Sequence, residues 1–149
     1  MNARRAILSG VVGTAAVTAL WLLEPLVGLP RLAVGSMLSS LLAVATAYLA
    51  ILPVVGWAIH VLVGVGLALV YAGVFAHRLP GSVWARGAIY GAGIFVFAQL
   101  TFMPLVGAGV FSRGDLPMLL GSLLGHLVYG AIVASIYGDP SVRREVTMS

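Results

Sequence analysis

"LAVGSMLSSLLAVATAYLAIL", residues 32 to 52, carries no charge and is mostly apolar. A helix needs about 20 predominantly apolar residues to cross the hydrocarbon core of a bilayer, so this stretch is long enough to span. Whether it does so decides between a four-helix and a five-helix protein. Four further apolar runs flank it: Ala6–Leu23, Val54–Ala76, Ala88–Val106 and Leu116–Tyr137.

The class of protein follows from composition. Of 149 residues, 61% are hydrophobic and 8% charged, and mean hydropathy is +1.11. Eight basic and four acidic residues cannot build the charged shell of a soluble domain. A polytopic membrane protein is expected. The absence of cysteine excludes disulfides, iron–sulfur clusters and thiolate chemistry. A net charge of +4 does not point to nucleic acid, because the arginines are scattered near the ends of apolar runs. Those are the positions of orientation signals beside anionic headgroups. The N-terminal stretch starts charged and turns apolar like a signal peptide. Its apolar run is longer than a typical signal core and lacks a convincing cleavage site, so an uncleaved first span is expected.

The arginines arbitrate the span count. With residues 32–52 excluded, one side holds Arg4, Arg5, Arg78, Arg86, Arg143 and Arg144, and the other only Arg31 and Arg113. Either orientation of a five-span protein gives a weaker bias. The excess of basic residues on the cytoplasmic side therefore favours four spans with both termini in the cytoplasm, in a bacterial inner membrane. Residues 32–52 become an apolar helix on the outer side, interfacial or re-entrant, with Ser36, Ser39, Ser40 and Thr46 as a thin polar stripe. Pro53 and Gly56 separate it from the second span.

An internal repeat supports the same count. "HVLVGVGLALVYAG" from His60 and "HLVYGAIVASIYGD" from His126 align without gaps. His60 pairs with His126, Gly64 with Gly130, Ala68 with Ala134 and Tyr71 with Tyr137. "PLVG" occurs at Pro25–Gly28 and again at Pro104–Gly107, and Arg5 and Gly10 correspond to Arg86 and Gly91. The first copy (about 5–76) holds extra residues between its proline and its histidine that the second (about 86–138) lacks, and they fall in the 32–52 region. The expected fold is all-α and integral to the membrane, a single domain of four transmembrane helices arranged as two parallel two-helix repeats. A pseudo-twofold axis along the membrane normal follows from two copies of equal topology.

In each repeat the histidine, glycine, alanine and tyrosine stand at i, i+4, i+8 and i+11, one helical face. Small residues there, with Gly87-x-x-x-Gly91 and Gly121-x-x-x-Gly125, let helix backbones approach closely. An ionisable side chain inside a membrane is a functional candidate, and the symmetric pair His60 and His126 admits haem b or a metal held between two imidazoles. The simpler expectation is a packed, empty interface in which each histidine is hydrogen-bonded. His77, beside Arg78, is expected to be an interfacial anchor. Glu24, matched by Met103 in the other copy, is expected at the membrane boundary near Arg31 or against a partner. Gln99 is expected to bond to a neighbouring helix and is also a candidate partner contact. Tyr71 and Tyr137 fall near span ends, with Trp21, Trp57 and Trp84, where amphipathic rings commonly sit.

GWxxHxxxG in the second span, the GxxYG opening the third, the proline before LVG and the GHxxYG of the fourth resemble a family of small bacterial polytopic membrane proteins classed only as a domain of unknown function. The resemblance covers roughly residues 5 to 138 and implies four helices and no established activity. The residues show no catalytic constellation. The expected function is a non-catalytic accessory subunit packed against other integral membrane subunits and lipid in a larger complex, with a respiratory oxidase or other electron-transfer complex as the specific case. A haem- or metal-binding membrane protein and a small oligomeric transporter or channel are the alternatives.

Overall fold

The structure is a computed structural model that describes residues 1–30, 32, 36–38 and 53–138. Among these residues it is all helical, and four helices are long and apolar enough to cross a membrane. We label them α1 (Ala3–Leu23), α2 (Pro53–Val70), α3 (Val83–Phe97) and α4 (Leu116–Tyr137). α2 runs on through a π-helical turn, Tyr71–Phe75. α3 runs on through another, Ala98–Phe102, and a last turn Met103–Leu105. The third span starts at Val83, earlier than the apolar run suggested. Ser82 caps it by accepting from the Ala85 N–H at 3.3 Å, and Arg86 reaches back to the Ala76 carbonyl at 3.4 Å. A long arginine stem lets the charge sit at the end of the bundle while its backbone stays helical.

Both "PLVG" stretches end their spans in the same way. The Leu29 N–H donates to Glu24 C=O at 3.1 Å and Gly28 N–H to Pro25 C=O at 3.3 Å. The Ala108 N–H donates to Met103 C=O at 2.9 Å and Gly107 N–H to Pro104 C=O at 3.1 Å. Gly28 and Gly107 take φ of +82° and +81°, the left-handed residue that such a double cap requires and that glycine adopts without strain.

The two hairpins also pack alike. A β-carbon at Gly10 of α1 would lie 2.7 Å from the Val65 Cα of α2, and one at Gly87 of α3 would lie 2.7 Å from the Ala131 Cα of α4. Gly91 and Gly130 meet backbone to backbone, and Gly64 closes on Thr14. The small residues on the expected faces thus bring helices together within each hairpin. Ser9 and Thr14 donate to carbonyls of their own helix, Ala6 at 2.8 Å and Gly10 at 2.7 Å, so they enter the interface without needing a partner.

Between hairpins the arrangement departs from a twofold. α1 lies against α4 along its length: Gly13 meets Tyr129 and Val133, and Gly125 meets Trp21. The symmetry-related seam, α2 with α3, is closed mainly in the half nearer Arg78 and Arg86, where Tyr90 stacks against Tyr71 and Phe75. Toward the other end α2 and α3 part. Two tyrosines of the second copy account for the asymmetry: Tyr90 donates to Leu67 C=O at 2.7 Å, and Tyr129 donates to Gly64 C=O. Their counterparts in the first copy are Ser9 and Val63, which cannot make equivalent bonds.

Of the 32–52 segment, Leu32 and Leu38 are buried beside the open seam. The expected interfacial or re-entrant helix otherwise lies outside the described residues.

Candidate functional site

Where α2 and α3 part, a cavity of about 210 Å³ opens, walled by all four helices. Its position follows from the asymmetry above: Tyr90 ties the seam at one end, and among the described residues no comparable bond ties it at the other. Val63 on α2 and Phe97 on α3 line it and are also exposed on the bundle flank, and Leu32, Met37 and Leu38 of the connecting segment complete its lining.

The histidine pair stands in this cavity wall. Trp21 of α1 is the element common to both rings, with its centroid 5.6 Å from His60 and 6.3 Å from His126. Trp57 packs edge-on to His60 at 5.8 Å, and Phe95 edge-on to His126 at 6.0 Å. Each imidazole therefore has an aromatic neighbour on two sides. Trp21 is itself fixed by donating Nε1–H to Gly121 C=O at 3.4 Å.

The two rings differ in hydrogen bonding. His126 Nδ1 lies 2.6 Å from the Ser122 carbonyl oxygen. A carbonyl only accepts, so Nδ1 carries the proton and Nε2 keeps the lone pair. His60 Nε2 is buried and has no hydrogen-bond partner among the described residues. The expectation of a packed, empty interface with both histidines bonded is thus corrected on two points: a cavity is present, and His60 Nε2 has no partner among the described residues. The cause is that Gly64 and Gly130 bring helices together inside the hairpins, not across the gap between α2 and α3.

The other candidate residues fall as follows. Tyr71 and Tyr137 are buried, not in an interfacial belt. They meet edge to face at 6.1 Å, and Tyr137 lies 3.5 Å from Ala72 C=O and 3.4 Å from the Asn2 N–H. The Tyr137 hydroxyl finds polar partners inside the bundle, which removes its pull toward the headgroups, and Tyr71 packs against Tyr90 and Tyr137. Gln99 is wholly buried, so the partner contact is corrected and the interhelical bond is found. Its amide donates to Ser122 Oγ at 3.2 Å, and its carbonyl accepts from Ser112 Oγ at 3.1 Å. That second bond steadies the connection to α4, in which Phe111, Ser112 and Arg113 all take positive φ, a conformation costing roughly 1–2 kcal/mol per non-glycine residue. Glu24 is 2% exposed and packs on Gly121, with neither carboxyl oxygen bonded among the described residues. It is therefore not a solvated boundary residue. The expected neighbour Arg31 lies outside the described residues.

The sequence pattern offered Ser122, a tyrosine or a freed carbonyl as partners for the histidines, and gave Tyr90 and Tyr129 no role of their own. Tyr129 stands at i+3 from His126 within GHxxYG, which places both on one face, and this spacing was the available signal. His60 and His126 do not complete a metal cage with a third histidine, cysteine, aspartate or glutamate among the described residues.

A four-helix membrane bundle with paired hairpins and one flank open around two histidines is the class this geometry defines. The chain belongs to DUF6789, a family of unknown function, whose family model matches residues 1–147. No curated protein and no solved structure matched it.

Proposed function

We propose that this chain is a non-catalytic accessory subunit of a larger complex in the bacterial inner membrane, with both termini in the cytoplasm. The observation that supports the reading is the open α2–α3 flank. Gly66 on α2 and Gly93 on α3 have nothing among the described residues within 4 Å of where a side chain would begin, and both are exposed. Small residues on an uncovered membrane helix let another helix approach its backbone. A respiratory oxidase or another electron-transfer complex is the assembly proposed, because an apolar, aromatic-lined cavity with two imidazoles suits lipid-soluble redox partners better than passage of a hydrated solute.

Native protein solubilised in mild detergent is expected to migrate with other membrane subunits; repeated recovery of a lone monomer would sink the reading. Reporter fusions are expected to place Ser112 outside and Ser149 inside. A periplasmic C-terminus would overturn this topology, and together with a cytoplasmic N-terminus it would require an odd number of spans and so return residues 32–52 to the membrane.

The haem reading meets a steric objection. The cavity of about 210 Å³ is smaller than the roughly 300–1,000 Å³ of sites for drug-sized ligands, and a macrocycle would have to part α2 from α3 further.

A further inference from the structure

We propose that the cavity between α2 and α3 binds the ring of a lipid-soluble quinol, with its tail leaving through the flank into the bilayer. The inference does not rest on the accessory-subunit reading, since the site is built from this chain alone.

Size selects the ring. A buried apolar cavity of roughly 150 Å³ holds benzene, and this one, at about 210 Å³, has room for one six-membered ring with small substituents. Access selects the lipid-soluble class. Val63 and Phe97 line the cavity and are also exposed on the flank of the bundle, so a ligand can arrive from the membrane and a hydrophobic tail can remain there.

Hydrogen bonding selects the oxidation state. The walls are apolar except for a few groups, and most of those are already engaged. Thr14 donates to Gly10 C=O and Tyr129 to Gly64 C=O, while Ser122 Oγ accepts from Gln99 and keeps its own proton to donate. Among the described residues, His126 and the Ser122 hydroxyl are the groups left to address a ligand. His126 is held by Ser122 C=O with its lone pair on Nε2, so it can accept a hydrogen bond from a ligand hydroxyl and has nothing to donate to a carbonyl. His60 Nε2 has no partner among the described residues but is buried away from the cavity, so His60 contributes its ring to the wall rather than a hydrogen bond. A quinol oxygen can both donate to His126 and accept from Ser122. A quinone can accept from Ser122 but leaves the His126 lone pair facing a carbonyl oxygen. Trp21, which touches both histidines, offers a flat aromatic face beside the ligand.

The test uses the full chain in lipid nanodiscs with Trp57→Phe and Trp84→Phe, so that Trp21 is the reporting fluorophore. The probe is a decyl-substituted dimethoxy-methyl-benzoquinol, titrated in reduced and oxidised forms. Saturable quenching of Trp21 is expected, with the reduced form about three- to tenfold tighter, as one net hydrogen bond would give. His126→Ala is expected to abolish that preference. Ala98→Phe, which fills the cavity and leaves both histidines in the sequence, is expected to abolish quenching while helical circular dichroism and melting stay near those of the parent. Quenching that does not saturate, that survives Ala98→Phe, or that decanol displaces at the same concentration as the quinol would overturn the proposal. So would equal affinity for the two oxidation states. Loss of the parent's partners on purification leaves this titration unaffected, which separates it from the accessory-subunit reading.

Discussion

Gly91→Val is expected to unfold the α3–α4 hairpin, while Gly93→Val, two residues away on the same helix, is expected to be nearly silent. At Gly91 a new β-carbon would run into the carbonyl group of His126 and sit 3.0 Å from the Leu127 Cα. These are backbone atoms and cannot rotate away. Relief requires that α3 and α4 separate, which also pulls Gly130 off Gly91 and strains the Gln99 bond to Ser122. Overpacking of this kind typically costs 1–3 kcal/mol and more where no side chain can yield, so a loss of at least about 3 kcal/mol is expected. At Gly93 a new β-carbon meets nothing within 4 Å among the described residues, and the change should stay within about 0.5 kcal/mol. Thermal unfolding in one detergent, followed by circular dichroism, compares the two. Similar melting temperatures for both variants would show that the hairpin does not pack through these glycines.

Glu24→Met is expected to stabilise the protein. The carboxyl is 2% exposed, packs on Gly121, and has no hydrogen-bond partner among the described residues. Burying an unpaired polar group costs about 1–3 kcal/mol by mutational measures. Methionine is a test residue already in use, since the second repeat has Met103, also buried, at the corresponding place. A gain of about 1–2 kcal/mol in unfolding free energy is expected, with Glu24→Gln gaining less because an amide still needs partners. If Glu24→Met melts lower than the parent, the carboxyl has a bonding partner and the assignment of an unpaired acid is wrong.

Much of the architecture was legible because it is written in local chemistry. The arginines and the lengths of the apolar runs pointed to four spans. The two "PLVG" stretches specify their own caps, since proline and glycine act over a few bonds. The glycine faces at Gly10, Gly64, Gly87, Gly91 and Gly130 follow from helical periodicity. What could not be read was which neighbour each face meets. Tyr71 and Tyr137 sit near span ends, and the tendency of such rings to seek headgroups misplaced them; the Tyr137 hydroxyl turns inward because Ala72 and Asn2 are brought close in three dimensions, and Tyr71 is buried against Tyr90 and Tyr137. Glu24 looks like any boundary acid until Gly121 packs over it. The cavity depends on Tyr90 and Tyr129 reaching backbone carbonyls of α2, and neither tyrosine has a counterpart in the first repeat. A search for symmetry therefore passed over the residues that break it.

That break has an evolutionary consequence. Two separate copies of one hairpin, paired about a twofold axis, would present two identical seams, and any mutation that loosened one would loosen the other. Joining the copies in a single chain lifts that constraint. Natural selection can then keep the α1–α4 seam as the structural joint and let the α2–α3 seam drift toward a different use. The tyrosines confined to the second copy are the kind of change that only a fused duplicate can accept on one side alone.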